Sequence, residues 1–192
     1  MGKSHDLATA AADGFTFSGT VDASSGLTTP AGHVIQVKQT VLADTFSTTA
    51  GPNFAEITDL RTLITPTSTN SKILVKGDLS VGQHYYQARG RILRDSTPIG
   101  LGNQRGSNRK RVTWNTIHYS GAAPGYSIYH FHQVSFSFLD SPATTNEITY
   151  SLDMGGYNTS YTVYLNRAHS DSDGTSYNGT PISSLTLMEI AQ

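Results

Sequence analysis

Two histidines separated by one residue, His130-Phe-His132, form the sharpest chemical pairing in this chain. Residues two apart on a strand share a face, so both imidazoles would project together. Repeated about a threefold axis, six ring nitrogens could enclose an octahedral metal ion. The plainer reading is a pair packed beside Val134 and Phe136, because a single His-x-His is a weak signal. No cofactor is expected. Asp171-Ser-Asp173-Gly174 begins like a calcium loop but lacks the closing glutamate that such loops require, and a solvated hairpin loop is the better reading.

Charge is concentrated once. Arg105, Arg109, Lys110 and Arg111 place four of the thirteen basic residues within seven positions. Such a cluster can hold phosphate or carboxylate, and Trp114 and Tyr119 lie near enough in sequence to add stacking. A formal net charge of −1 argues against a nucleic-acid binder. An ordinary exposed loop, an acidic neighbour or an anionic host sugar fits better. Tyr126 and Tyr177 border two further polar loops, 120–125 and 170–178, and would supply rings for a sugar face. Catalysis finds no support: Gly-x-Ser-x-Gly, His-Glu-x-x-His and the P-loop are all missing, and the acidic residues are scattered singly.

The elements that must carry these residues read as strands. Hydrophobic residues make up 36% and charged residues 14% of 192, with Ser, Thr, Gly and Asn filling the difference, which suits strands and polar turns. There is no cysteine, so neither a disulfide framework nor a thiolate metal site is available. The beginning has no apolar secretory run and no stretch suits a membrane span, so a cytoplasmically made chain without membrane insertion is expected.

Residues 1–32 are rich in Ala, Gly, Ser and Thr, with few large apolar groups, and read as an extended arm that cannot fold alone. From His33 the pattern becomes short β-branched and aromatic runs separated by turns: 34–42, 54–64, 73–81, 85–94, 112–119, 129–139, 148–154, 161–167 and 185–190. Gly77 interrupts the alternation of the third run and suggests a bulge. Near-regular spacing without a helical period predicts an all-β sandwich or barrel over residues 33–192. Two runs are apolar on both faces. In the last, Leu185 and Leu187 oppose Met188 and Ile190; in the run from Ile128, Val134, Phe136 and Phe138 oppose Tyr129, Phe131 and Leu139. A lone sandwich keeps one sheet face wet, so these residues point to a subunit interface, the alternative being a face covered by the chain's own loops or arm.

Four phrases add a resemblance: Leu93-Arg-Asp-Ser-Thr-Pro-Ile-Gly100, Ser137-Phe-Leu-Asp-Ser-Pro-Ala-Thr-Thr145, Tyr164-Leu-Asn-Arg167 and Ser183-Ser-Leu-Thr-Leu-Met-Glu-Ile190. In this order and spacing the chain resembles small all-β domains of bacteriophage fibres and other virion surface proteins, especially marine and cyanophage ones. The resemblance implies a virion structural protein and not an enzyme, with a jelly-roll-like antiparallel β-sandwich over residues 33–192 behind an extended N-terminal arm. It further implies a homotrimeric tail fibre joined to other virion proteins through the N-terminal arm and touching a host surface glycan. A head fibre or capsid decoration protein is the alternative, and a free carbohydrate-binding module a more distant one.

Overall fold

In the computed structural model, residues 31–83, 86–116, 127–173 and 178–192 are described. The expected arm lies outside them except for Ala31 and Gly32, as do Tyr85, Tyr119, Tyr126, Tyr177 and the loop 120–125. Among the described residues there are twelve strands: β1 (Val34–Leu42), β2 (Phe46–Thr48), β3 (Ala55–Glu56), β4 (Thr62–Ile64), β5 (Lys72–Gln83), β6 (Arg89–Arg94), β7 (Thr97–Ile99), β8 (Trp114–Asn115), β9 (Phe131–Asp140), β10 (Ile148–Gly155), β11 (Val163–Leu165) and β12 (Ser183–Ile190). They form two six-stranded antiparallel sheets packed face to face, the sandwich expected from the strand pattern. Sheet A holds β1, β12, β5, β11, β2 and β9; sheet B holds β3, β4, β10, β6, β7 and β8.

Alternation decides which side chains meet between the sheets. Ile73, Val75, Leu79 and Val81 of β5 and Leu185 and Leu187 of β12 face Ile92 of β6 and Tyr150, Leu152 and Met154 of β10, and all are completely buried. Val134, Phe136 and Phe138 extend this core from β9. The run 54–64 is not one strand. It breaks into β3, a 3-10 turn (Thr58–Leu60) and β4, because Ile57 and Leu60 both turn inward and reach zero exposure. Tyr129 likewise belongs to a 3-10 turn, Ser127–Tyr129, and not to the following strand.

Gly77 marks no bulge. Its register is continuous on both sides, opposite Leu185 and Phe136, and a Cβ there would run into the Phe136 ring. The irregularity sits instead in β1, where pairing with β12 shifts between Val34 and Gln36. The phrase Leu93–Gly100 is a hairpin of β6 and β7 whose two loop residues, Asp95 and Ser96, have φ of 46° and 69°. Positive φ at both positions is the primed turn that matches strand twist. Asp95 Oδ1 also accepts from the Thr149 amide at 2.9 Å, but Ser96 merely tolerates its conformation. Ser96→Gly is therefore expected to stabilise the chain by about 0.5–1 kcal/mol. Chemical denaturation checks it; a loss of stability would mean that the Ser96 side chain contributes more than its backbone strain.

Tyr164-Leu-Asn-Arg167 earns its place in the same structural sense. Asn166 is buried with φ of 61°. Its amide donates to the Leu42 and Asp44 carbonyls, each at 2.8 Å, and accepts from the Ser183 hydroxyl at 2.6 Å. One side chain thus joins β11 to the ends of β1 and β12.

Candidate functional site

The basic segment forms a braced loop between β7 and β8. The Gly102 amide donates to the Val112 carbonyl at 3.4 Å, and Arg111 Nε donates to the Gly102 carbonyl at 2.9 Å. Inside that neck, the Gln104 side-chain amide donates to the carbonyls of Gly106 and Arg109. Gly106, with φ of 82°, makes the turn. Backbone carbonyls are consumed by these braces, whereas the charged ends of Arg105, Arg109 and Lys110 remain at the surface.

Between this loop and sheet B lies a cleft of about 870 Å³ lined by Asn53, Phe54, Arg91, Leu101, Gln104, Gly106, Ser107, Arg109, Lys110 and Arg111. Its second wall is rigid. Arg91, on the outer face of β6, donates through Nε to both Asp153 carboxylate oxygens at 3.1 Å and through Nη2 to one of them. The guanidinium also lies 4.0 Å from the Phe54 ring centroid. Burial pushes the Asp153 carboxyl above its ordinary range, and the Arg91 hydrogen bonds oppose that push. A smaller cleft on the other side of the loop is lined by Arg105 together with Arg109, Lys110 and Arg111.

Arg61, Lys76, Arg91, Arg94 and Arg167 each have a carboxylate within 4 Å. Among the described residues no such ion pair is formed by Arg105, Arg109, Lys110 or Arg111. Clustering made these four legible in the sequence. Phe54 and Arg91 were not, because Phe54 lies in the loop before β3, Arg91 lies in β6, and neither stands in a motif. Trp114 does not serve as a stacking platform: it is 6% exposed and lies against Gly90 in the core.

A second surface concerns assembly. Leu185 and Leu187 cannot line a subunit interface, since both are wholly enclosed between the two sheets of one chain. Their neighbours Met188 and Ile190 do face outward. Register places Val37, Met188, Leu74 and Leu139 side by side across β1, β12, β5 and β9, with Val34 and Ile190 adjacent. Val34, Val37 and Leu139 are about half exposed, at 47%, 53% and 47%. The apolar outer face expected for β9 is narrower than predicted: Phe131 and Leu139 are separated by exposed Gln133, Ser135 and Ser137. Sheet B differs. Its outer face carries Glu56 paired with Arg61, Ser151 bonded to Glu56 at 2.6 Å, and Arg91 with Asp153.

The histidine pair is split by local structure. His130 is exposed and precedes β9, while His132 is half-buried in β9 opposite Val81. Burial, then the nearby His130, holds the His132 imidazole below its ordinary value and so favours its neutral form. Among the described residues no three His, Asp or Glu side chains gather as a metal site would need. Asp171 lies 3.4 Å from Arg167 Nε as an ion pair, and Gly174 of the calcium-like run lies outside the described residues. An aromatic cluster escaped the sequence reading: Tyr86 stacks on Tyr157 at 4.4 Å between centroids and meets Tyr161 edge-on at 4.7 Å. Neither the protein-family models nor the curated protein sequences include a match to this chain.

Proposed function

We propose that this chain is a phage virion structural protein: a trimeric tail fibre subunit, attached through its N-terminal arm and contributing to host-surface recognition. The observation that carries the reading is the apolar row Val37–Met188–Leu74–Leu139 on the outer face of sheet A. An antiparallel sheet exposed to water normally alternates apolar inside with polar outside; sheet B carries mainly ion-paired and polar groups there, with Leu63 as its exposed apolar residue. Four large apolar side chains in register across four strands, flanked by Val34 and Ile190, form a patch of the kind that marks association. The first described residues lead directly into β1 beside this patch, so an arm held by neighbouring virion proteins would leave from the same place. The setting comes from the four phrases that resemble phage fibre domains; within them Asp95, Asp140 and Asn166 act as structural residues.

Light scattering on the full chain tests the assembly. The expected mass is three times 20.6 kDa for the native sequence. Met188→Asp, which places a charge at the centre of the row, is expected to give the single-chain mass with the fold retained, because Met188 contributes nothing to the interior. A native protein that is monomeric at micromolar concentration would overturn the trimer. Imaging of particles then distinguishes a tail fibre from a head fibre or decoration protein by where the chain sits.

A further inference from the structure

We infer that the cleft between the 102–111 loop and the Phe54–Arg91 wall is a binding site for an acidic polysaccharide, engaged through carboxylate or sulfate groups on its sugars. The inference deepens the host-recognition part of the proposed function and rests on it for its biological meaning, although the site itself lies within one chain. Three observations carry it. First, Arg109, Lys110 and Arg111 line one side of the cleft, and no acidic side chain lines it among the described residues. In a chain of net charge −1 this is a local excess of positive charge that forms no ion pair with a carboxylate among the described residues.

Second, both walls are held in place before any ligand arrives. The loop is braced by Gln104 and Arg111 through backbone carbonyls, and Arg91 is fixed by Asp153 and by the Phe54 ring. Little ordering is then required on binding, which favours affinity from a few contacts. Third, the lining mixes charge with neutral polar groups, Asn53, Gln104 and Ser107, and with the apolar bodies of Phe54 and Leu101. That composition suits a sugar, whose hydroxyls need amide and hydroxyl partners and whose ring faces need an apolar surface. The volume of about 870 Å³ fits a short stretch of sugar units. A nucleic acid fits less well: the cations are confined to one loop instead of tracking a strand, and Trp114 is not available for base stacking.

The test uses the full chain with polygalacturonate as a carboxylate polymer, dextran sulfate as a sulfate polymer, uncharged dextran and single-stranded DNA. Binding is followed by calorimetry near about 0.15 M salt, where weak exposed charge effects are already screened. Wild type is expected to bind one or both acidic polysaccharides and not dextran. Arg105→Ser/Arg109→Ser/Lys110→Ser is expected to weaken that binding about tenfold or more, and Lys38→Ser/Lys72→Ser, which removes charge from sheet A, to leave it unchanged. Which polymer binds assigns carboxylate or sulfate. Equal binding by wild type and the triple variant, no binding of either polysaccharide by wild type, or tighter binding of DNA would each overturn the inference. Equal melting temperatures exclude misfolding as the cause of a loss. The mass of the same samples is recorded, so a monomer that binds sinks the trimer without sinking the site, and a trimer that fails to bind does the reverse.

Discussion

Glu189→Ala is expected to destabilise the folded chain by about 3 kcal/mol, whereas changes at its outward-facing neighbour Met188 alter association alone. Glu189 lies on the inner face of β12 and exposes none of its surface. Its carboxylate accepts from Gln36 Nε2 at 2.6 Å and from both the amide and the hydroxyl of Thr67 at 2.7 Å. Thr67 belongs to the turn that carries the chain from β4 in sheet B to β5 in sheet A, and Gln36 lies on β1. One side chain therefore fastens a strand edge and a crossover between sheets. Truncation would remove the charged acceptor shared by a backbone amide and two side-chain donors, of which Thr67 is exposed and Gln36 half-buried with a second bond to the Thr65 carbonyl.

The same residue sets a pH dependence. Burial pushes the Glu189 carboxyl up, but the hydrogen bonds from Gln36 and Thr67 outweigh that push and hold it below its ordinary value of 4.5. A carboxyl depressed in the folded state contributes stability that is present above that ordinary value. The contribution is lost as pH falls through the folded value. Urea unfolding of wild type and Glu189→Ala at pH 7 and pH 3 measures both effects. The difference should shrink at the lower pH; a difference below about 1 kcal/mol at pH 7 would show that water replaces these bonds freely.

Asp140→Ala should cost at least as much, about 3–5 kcal/mol. Asp140 ends β9 in sheet A and receives two bonds from Arg94 Nη1 of β6, at 3.1 and 2.9 Å, and one from the Tyr150 hydroxyl of β10 at 2.7 Å. Tyr150 is fully enclosed, and burial, with Asp140 second, keeps its phenol protonated far above the usual range. Removing the acceptor leaves a partly buried guanidinium and an enclosed hydroxyl without it. Tyr150→Phe alone should cost only about 1 kcal/mol, and should cost almost nothing once Asp140 is gone. Thermal unfolding of the two single variants and the double variant forms the cycle. Additive costs would mean that the tyrosine hydroxyl has another partner.

Long strands were legible in the sequence because alternation over β1, β5, β9 and β12 can satisfy only one arrangement of faces. The shortest strands were not. β2 and β7 have three residues each and exist through pairing with distant partners, which local composition does not encode, while β8 is a two-residue remnant of the expected run 112–119. The run 54–64 has as many apolar residues as a strand, but Ile57 and Leu60 fill the core from a tight turn, a difference of period too short to read. Gly77 was misread as a bulge for a related reason: its lack of a side chain serves Phe136 on the neighbouring strand, not its own backbone. The charged half of the cleft could be found by clustering, while its Phe54–Arg91 wall required the strands to be assembled first.

Both ends of the described chain meet at one corner of sheet A. The Gly32 amide donates to the Ala191 carbonyl and the Ala191 amide to the His33 carbonyl, each at 2.8 Å, and β1 then runs antiparallel to β12. Mechanically this is a zipper: tension pulling the two ends apart would open the ladder one rung at a time, starting from its outermost pair. A molecule tethered by one end only never loads the pair in that weak direction. Traction from a bound surface would then pass through the body of the sandwich, where the interlocked side chains of two sheets share it.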